Sequence, residues 1–231
     1  MNNNHLIVFD FETTGLDIPY HEPVELAAQA YDARTLEAFP KEDGGRFVSL
    51  MKPLYPERLD EPKCAEALRF NKITKEEVLA APDQGVVWKN FVEWTKKYNP
   101  KGTKWSAPIP CGKNIRGFDL KIVEEMNRLH GPKKEKTVLF NTKWLFDLDD
   151  ILFLFFENET EPASLGMDVI RDYFGIPKDG AHRAELDVEQ EGALIIRFIK
   201  LIRRLRKEVG KDGEKRIKFA QSFRGLRREN E

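Results

Sequence analysis

The sequence lacks the features that mark several large classes of protein. Its two cysteines, Cys64 and Cys111, are far apart and have no metal-ligand spacing, so we predict neither a disulfide framework nor a zinc site. This cysteine usage fits a reducing compartment. No apolar stretch approaches the roughly 20 residues that span a bilayer, and no basic segment followed by a long apolar run opens the chain. We therefore expect a cytoplasmic protein that makes no membrane contact.

An excess of charge of either sign is also missing. The net charge of -1 gives no overall attraction to nucleic acid, so any such binding must come from local patches. Charged residues make up 33% and hydrophobic residues 41% of the 231 positions, which is typical of a globular protein, and no repeat divides the chain. The composition becomes polar and basic after Leu205. We predict one domain over residues 1–206 and a basic tail, or a short appended helix, over residues 207–231.

Three predicted strands form the first part of the chain. Residues 6–12 alternate, with Ile7, Phe9 and Phe11 on one face and Asp10 and Glu12 on the opposite face. The segments 24–31 and 47–51 are also strand-like, and a turn-rich segment joins them. This order predicts an antiparallel meander.

Helical patterns then alternate with short strands. We predict a helix over 73–81 with Thr74 as its N-cap and a long last helix that begins near Ala184. Further helices are predicted over 86–98, 118–130 and 164–176, and short strands near 107–114 and within 138–147. Together the elements indicate an α/β protein, with a mixed sheet and helices on its faces.

Asp10 and Glu12 place two carboxylates on one side of an apolar strand. Two anions so close repel each other, and their pKa values rise unless a cation lies between them. Oxygen-rich acidic sites suit Mg²⁺ or Mn²⁺. A solvated acidic strand end would explain the same two residues, so this pair alone does not decide between the two interpretations.

Two later segments add candidate residues. Asp119 stands at the start of a predicted helix just after a strand, where it would serve equally well as a first-turn acid. His182 and Asp187 lie five positions apart across a loop and a helix start. A histidine in a loop is as compatible with a solvated surface position as with a site.

The three segments together resemble a known family. FDFETTGL, KNIRGFD and HRAELD are similar, in order and separation, to the three motifs of the DnaQ-like, or DEDD, 3′-5′ exonuclease superfamily. The spacing of His182 and Asp187 resembles its histidine branch, because Arg183 stands where the tyrosine branch has tyrosine. The resemblance covers most of residues 6–205. One departure is Lys113, where many relatives carry histidine.

This resemblance implies an RNase H-like fold, with a mixed five-stranded sheet flanked by helices, and a metal-dependent site. Asp10, Glu12, Asp119 and Asp187 would hold two divalent metal ions, Mg²⁺ or Mn²⁺, with Asp10 bridging both. Two ions about 3.5–4 Å apart activate water and stabilise the leaving oxygen in phosphodiester hydrolysis. His182 would be the general base, since its ordinary pKa of about 6.5 leaves it largely neutral, and its loop would let it swing towards bound substrate.

The resemblance also implies contacts with the substrate. Thr13, Thr14, Gly15 and Leu16 would meet the 3′-terminal nucleotide. Core packing is the alternative role for Leu16. For Gly15, a turn with positive φ is sufficient to explain why glycine is present. Asn114 would orient its loop or touch a phosphate, and Phe118 would stack on a base or, as we favour, belong to the core.

The function expected from the resemblance is 3′-5′ exonuclease activity on nucleic acid with a free 3′ end, single-stranded or frayed. DNA is favoured, and RNA trimming and a proofreading subunit beside a polymerase or replication partner stay open. A non-catalytic binding module is less consistent, because no carboxylate of the set is missing. The predicted tail would follow a nucleic-acid backbone or be solvated. Its basic and aromatic residues are Lys211, Lys215, Arg216, Lys218, Phe219, Phe223, Arg224, Arg227 and Arg228.

Overall fold

A computed structural model describes residues 5–131, 138–179 and 181–211, and their fold is built on a mixed five-stranded sheet. Its order is β3-β2-β1-β4-β5. Strands β1 to β3 are antiparallel neighbours, whereas β4 and β5 run parallel to β1. The strands are β1 His5–Thr13, β2 Pro23–Asp32, β3 Arg46–Leu50, β4 Ile109–Gly112 and β5 Phe146–Asp147. The mixed sheet and the antiparallel meander are therefore confirmed.

Seven α-helices accompany the sheet in the described part of the chain. They are α1 Pro62–Phe70, α2 Lys75–Ala80, α3 Gln84–Lys96, α4 Asp119–His130, α5 Leu148–Phe156, α6 Met167–Phe174 and α7 Ala184–Lys211. The predicted N-cap of α2 is confirmed: Thr74 Oγ1 accepts the Glu77 N–H at 3.1 Å, and Glu77 Oε2 accepts the Thr74 N–H at 2.7 Å. Helices α1 and α5 were not predicted from the sequence.

Most of strand β1 is buried on both faces, and Asp10 and Glu12 near its end are partly buried. Ile7, Phe9 and Phe11 belong to the main core cluster, as the alternation predicts. Leu6 and Val8 on the opposite face are 2% and 0% exposed. Burial of such side chains is worth about 1.5–3 kcal/mol each, which fixes the register of β1 firmly. Asp10 and Glu12 follow Leu6 and Val8 on that second face.

The structure describes part of the C-terminal segment. Residues up to Ile195 belong to one compact unit, and the described residues from Ile196 to Lys211 belong to a second. Helix α7 continues through Lys211, so residues 207–211 of the predicted tail are helical. Residues 212–231 lie outside the described residues. Among the described helices, none combines the length and the apolar character needed to cross a membrane.

Candidate active site

A carboxylate cluster lies where β1 meets the first turn of α7. Asp10, Glu12 and Asp187 each offer a carboxylate oxygen, and these oxygens lie within 4.8 Å of one another. An Mg²⁺ or Ca²⁺ ion holds its oxygen ligands at about 2.0–2.6 Å, so oxygens around one ion are separated by up to about 5 Å. The three side chains therefore fit a divalent cation by both distance and chemistry.

The protein alone does not neutralise this cluster. Burial, followed by the charges of Asp187 and Glu25, raises the pKa of Asp10 to about 7. Burial, followed by the charges of Asp10 and Asp187, raises the pKa of Glu12 to about 9. With these pKa values Glu12 holds its proton at neutral pH and Asp10 is close to half protonated, unless a cation replaces the protons. The electrostatics of the site therefore favour a bound cation.

Asp119 lies beside the cluster, at the first position of α4. It is 2% exposed, and its Oδ1 accepts the N–H of Phe11 at 3.1 Å. Burial and then the charge of Asp10 raise its pKa well above the ordinary value. Asp119 is thus close enough to Asp10 to interact with it, although it is outside the 4.8 Å group of three.

A fifth carboxylate, Glu191, was missed by the sequence analysis. It lies one helical turn after Asp187, is 4% exposed, and accepts the Lys113 N–H at 3.0 Å. Burial and then the charges of Asp10, Asp119 and Asp187 raise its pKa well above the ordinary value. The separation of four residues from Asp187 on one helix face was the available signal.

Glu25 of β2 fixes the start of α7 against the sheet. It is directly opposite Glu12 in the β1–β2 register and is 1% exposed. Arg183 Nη2 donates to Glu25 Oε1 at 2.7 Å, and the Ala184 N–H donates to Glu25 Oε2 at 3.0 Å. One buried carboxylate thus pairs with a cation and caps the helix that carries Asp187. The sequence analysis did not single out Glu25.

Asp187 is held from the other side by a buried cation, Arg171 of α6. The Arg171 side chain is 0% exposed and donates to Asp187 Oδ1 at 2.6 Å, Asp168 Oδ1 at 2.9 Å and Gln190 Oε1 at 2.6 Å. Burial raises the pKa of Asp187, and the Arg171 charge is the first influence that lowers it. Arg171 therefore orients Asp187 and keeps it closer to its ionised form.

His182 lies at the edge of the site, in the loop before α7. Its φ of +66° is unusual for a residue other than glycine, a condition often met at functional positions. The ring packs on Phe70, with ring centroids 4.1 Å apart, and its Nε2 is 3.6 Å from Asp168 Oδ2. The side chain is 22% exposed. The ring thus contacts Phe70 and Asp168 and is not part of the carboxylate cluster.

The turn after β1 is tightly constrained. Thr13 and Thr14 are buried, and the Thr14 N–H donates to the Glu22 carbonyl at 3.0 Å. Gly15 has φ +152°, and a Cβ there would lie 2.7 Å from the His21 ring, so only glycine fits. Leu16 is 81% exposed, which excludes core packing for its side chain. Among the residues of this turn, Leu16 is the one whose apolar side chain is open to solvent.

The second motif forms the loop before α4. Asn114 is exposed, with φ +49°, whereas Phe118 is partly buried against the main core cluster. Phe118 therefore has the core role that we favour. Lys113 Nζ pairs with Asp149 Oδ1 of α5 at 2.5 Å. Where many relatives carry histidine, this chain thus has a lysine tied to α5.

The fold is shared with solved structures of other nucleases. Among solved structures, Escherichia coli exonuclease I in complex with a dT13 oligonucleotide is 17% identical over 93% of this chain and 45% of that one, with TM-score 0.67. Cell-death related nuclease 4 is 18% identical over 86% of this chain and 64% of that one, with TM-score 0.63. Exonuclease I from Methylocaldum szegediense is 18% identical over 84% and 40%, with TM-score 0.61.

At these identities the similarity shows a shared fold, and the chain spans less than two thirds of each of these proteins. A search of curated protein sequences gives no match. The family model described as exonuclease, of the RNase T type, matches residues 7–194. This range includes all three motifs and every carboxylate of the cluster. The chain therefore belongs to this exonuclease family, in agreement with its resemblance to the DnaQ-like enzymes.

Proposed function

We propose that this protein is a metal-dependent 3′-5′ exonuclease that removes nucleotides from single-stranded or frayed 3′ ends. The observation that carries the proposal is the cluster of Asp10, Glu12 and Asp187 inside the matched exonuclease region. Support for a single-stranded substrate comes from exonuclease I, which shares this fold and holds a dT13 oligonucleotide. DNA is the favoured substrate and RNA the alternative.

The positions of the side chains and the family resemblance support the proposed roles. Asp10, Glu12, Asp119 and Asp187 would hold the divalent ions, proposed to be two Mg²⁺ or Mn²⁺. When bound, such ions lower the pKa of the attacking water and stabilise charge on the leaving oxygen. His182 would accept the proton of the attacking water through its ring, which would have to turn from Asp168 towards the substrate.

Leu16 is proposed to support the terminal base. It is largely exposed and lies four residues after Glu12, so its apolar surface is next to the cluster in sequence and open to solvent. Gly15 lets this turn lie against the His21 ring, where a Cβ would be 2.7 Å from the ring atoms. Asn114, exposed in the loop before α4, is proposed to meet the backbone of the bound strand.

The proposal is tested with the purified chain and 5′-labelled DNA and RNA oligonucleotides, single- and double-stranded, with Mg²⁺, Mn²⁺ or EDTA. The expected result is a ladder that shortens from the 3′ end, needs metal and is absent for Asp10→Ala. The DNA and RNA arms decide the sugar preference, and activity of the isolated chain separates a free-standing enzyme from a polymerase subunit. No metal-dependent cleavage of any substrate, or products that shorten from the 5′ end, would overturn the proposal.

Replacing His182 with Ala is expected to lower kcat by about 10²–10⁴-fold, because a general base typically contributes that factor. Metal binding should persist, since His182 is not in the carboxylate cluster. The rate of cleavage is measured in steady-state and single-turnover assays. Metal binding is measured by the shift in melting temperature. His130→Ala, which changes a histidine at the opposite end of α4 from Asp119, is the control. A His182→Ala protein with full turnover would rule out this role.

A further inference from the structure

Two copies of the tripeptide Thr-Lys-Trp, at residues 103–105 and 142–144, display exposed tryptophans. The Trp105 side chain is 67% exposed and the Trp144 side chain is 55% exposed, although tryptophan is a large apolar residue that proteins usually bury. In each copy the lysine lies over its own indole, with Lys104 Nζ 4.8 Å and Lys143 Nζ 4.9 Å from the ring centroid. Each copy thus combines a cation and an open aromatic surface.

A single buried side chain joins the two copies. Asn141 is 7% exposed, and its Nδ2 donates to the Lys104 carbonyl at 3.4 Å. Its Oδ1 accepts the N–H groups of Lys143 and Trp144, both at 2.9 Å. The two loops are therefore fixed next to each other, even though they are 39 positions apart in the chain. We name Lys104, Trp105, Lys143 and Trp144 the tryptophan platform.

The charged residues of the two loops are lysines. Residues 99–108 and 138–145 contain no Asp or Glu and include three lysines, Lys101, Lys104 and Lys143. Three acids follow Trp144 within six positions, but Asp147 is 6% exposed, and Asp149 and Asp150 pair with Lys113 and Arg116. The lysines of the platform therefore suit a polyanion. Phe153 of α5, an aromatic that is 65% exposed and is followed by Glu157 and Glu159, serves for comparison.

We propose that the tryptophan platform is a second binding surface for single-stranded nucleic acid, an extension that rests on the proposed function. Bases stack on the two indoles, and the lysine ammonium groups contact the phosphates between them. Aromatic stacking combined with cations on the backbone is the usual chemistry of single-strand binding without sequence preference. The surface would accept DNA and RNA alike, because stacking does not read the sugar.

The platform and the carboxylate cluster lie at opposite ends of the sheet. Trp105 precedes β4, whose first residue Ile109 pairs with Leu6, whereas Glu12 lies six residues further along β1. At about 3.3 Å per residue this separation is about 20 Å. A stacked strand advances about 3.4 Å per nucleotide, so about six stacked nucleotides span this separation. Only substrates long enough to span it can therefore occupy the platform and the carboxylate cluster at the same time.

Binding is measured first, in protein that carries Asp10→Asn so that the strand is not cut. The double change of Trp105 and Trp144 to Ala is expected to weaken binding of a 24-nucleotide oligomer by about tenfold or more, since stacking on one aromatic side chain typically contributes at least about fivefold. In the active protein, KM for a three-nucleotide substrate should not change, because a strand of this length cannot occupy the platform and the active site together. The corresponding change to Phe should retain most of the affinity, which excludes misfolding as the cause. Phe153→Ala is the matched control.

Fluorescence gives an independent readout. Of the four tryptophans, Trp88 and Trp94 are 0% and 6% exposed, so quenching by an oligomer reports mainly on the platform. In the active protein, the double Ala variant should raise KM for the long oligomer without lowering kcat. The proposal would be overturned if the double Ala variant bound the long oligomer as well as the unchanged protein does, or if Phe153→Ala weakened binding equally. It would also be overturned if the double Ala change altered only the self-association of the protein. If the double Ala change weakened long-oligomer binding but the protein with Asp10 intact had no nuclease activity, the platform would be supported and the proposed function rejected.

Discussion

Replacing Asp10 with Asn is expected to lower turnover about a thousandfold or more and, in metal-free protein at pH 8, to raise the melting temperature. The loss of turnover follows because the change removes a proposed metal ligand. Bound ions would supply several kcal/mol of charge stabilisation, and each 1.36 kcal/mol is tenfold in rate. The gain in stability follows because burial disfavours the charged Asp10 carboxylate and because Asp187 and Glu25 repel it. One substitution therefore separates function from stability.

The raised pKa of Asp10 determines how the stability difference between the two proteins changes with pH. The pKa of Asp10 is about 7 in the folded protein and 3.8 as the ordinary value, so the folded state binds the proton more tightly. Stability from this group is complete below pH 3.8 and is lost as the pH rises through about 7. The asparagine side chain does not titrate, so the advantage of the Asp10→Asn protein should be absent near pH 4 and grow to about 5 °C or more by pH 8.

Melting temperatures at pH 4, 6 and 8, with EDTA or Mg²⁺, provide the measurement. Wild-type protein should be stabilised by Mg²⁺ more at pH 8 than at pH 6, because the ion competes with protons for the carboxylates. The Asp10→Asn protein should lose most of this shift. Asp43→Asn, a change of an exposed acid in the loop between β2 and β3, should leave activity and metal response unchanged. An Asp10→Asn protein less stable than wild type at pH 8 in EDTA would contradict the electrostatic account.

The sequence predicts those parts of the fold and site that depend on local pattern. Alternation over β1 places Phe11 in the core and therefore sends Asp10 and Glu12 to the opposite side, which the structure confirms. The capping box at Thr74 is similarly local. Helix α5 was not identified, because a run such as DILFLFF has no periodicity that separates a buried helix from a buried strand.

Side chains that act across the fold were not predictable in the same way. Arg171 belongs to an ordinary amphipathic helix, and its burial arises only when Asp187 and Gln190 are brought to it from α7. Glu25 is one acid in an apolar strand, and its role depends on Arg183, which lies 158 positions later. Glu25 connects the start of α7 to β2, and Arg171 connects it to α6. Their function is a property of tertiary contacts and leaves no spacing signal in the sequence.

Replacing Arg171 with Met is expected to destabilise the protein by about 3–5 kcal/mol, the usual result when one partner of a buried ion pair is removed. For a chain of this size the melting temperature should fall by roughly 10 °C. The cause is specific: Met fills similar space but leaves the Asp187 carboxylate without its cation and leaves Gln190 Oε1 without its donor. Affinity for Mg²⁺ should fall as well, because Asp187 is no longer oriented.

A double-mutant cycle distinguishes this cause from poor packing. Asp187→Asn should cost less stability in the Arg171→Met background than in wild type, since the charge that Met left uncompensated is then gone. Arg116→Met is the control, because Arg116 and its partner Asp150 are 62% and 63% exposed and exposed ion pairs contribute at most about 1 kcal/mol. Stabilities from urea unfolding in EDTA provide the comparison. Equal effects of Arg171→Met and Arg116→Met, or additive effects in the cycle, would show that the buried guanidinium does not hold Asp187 through its charge.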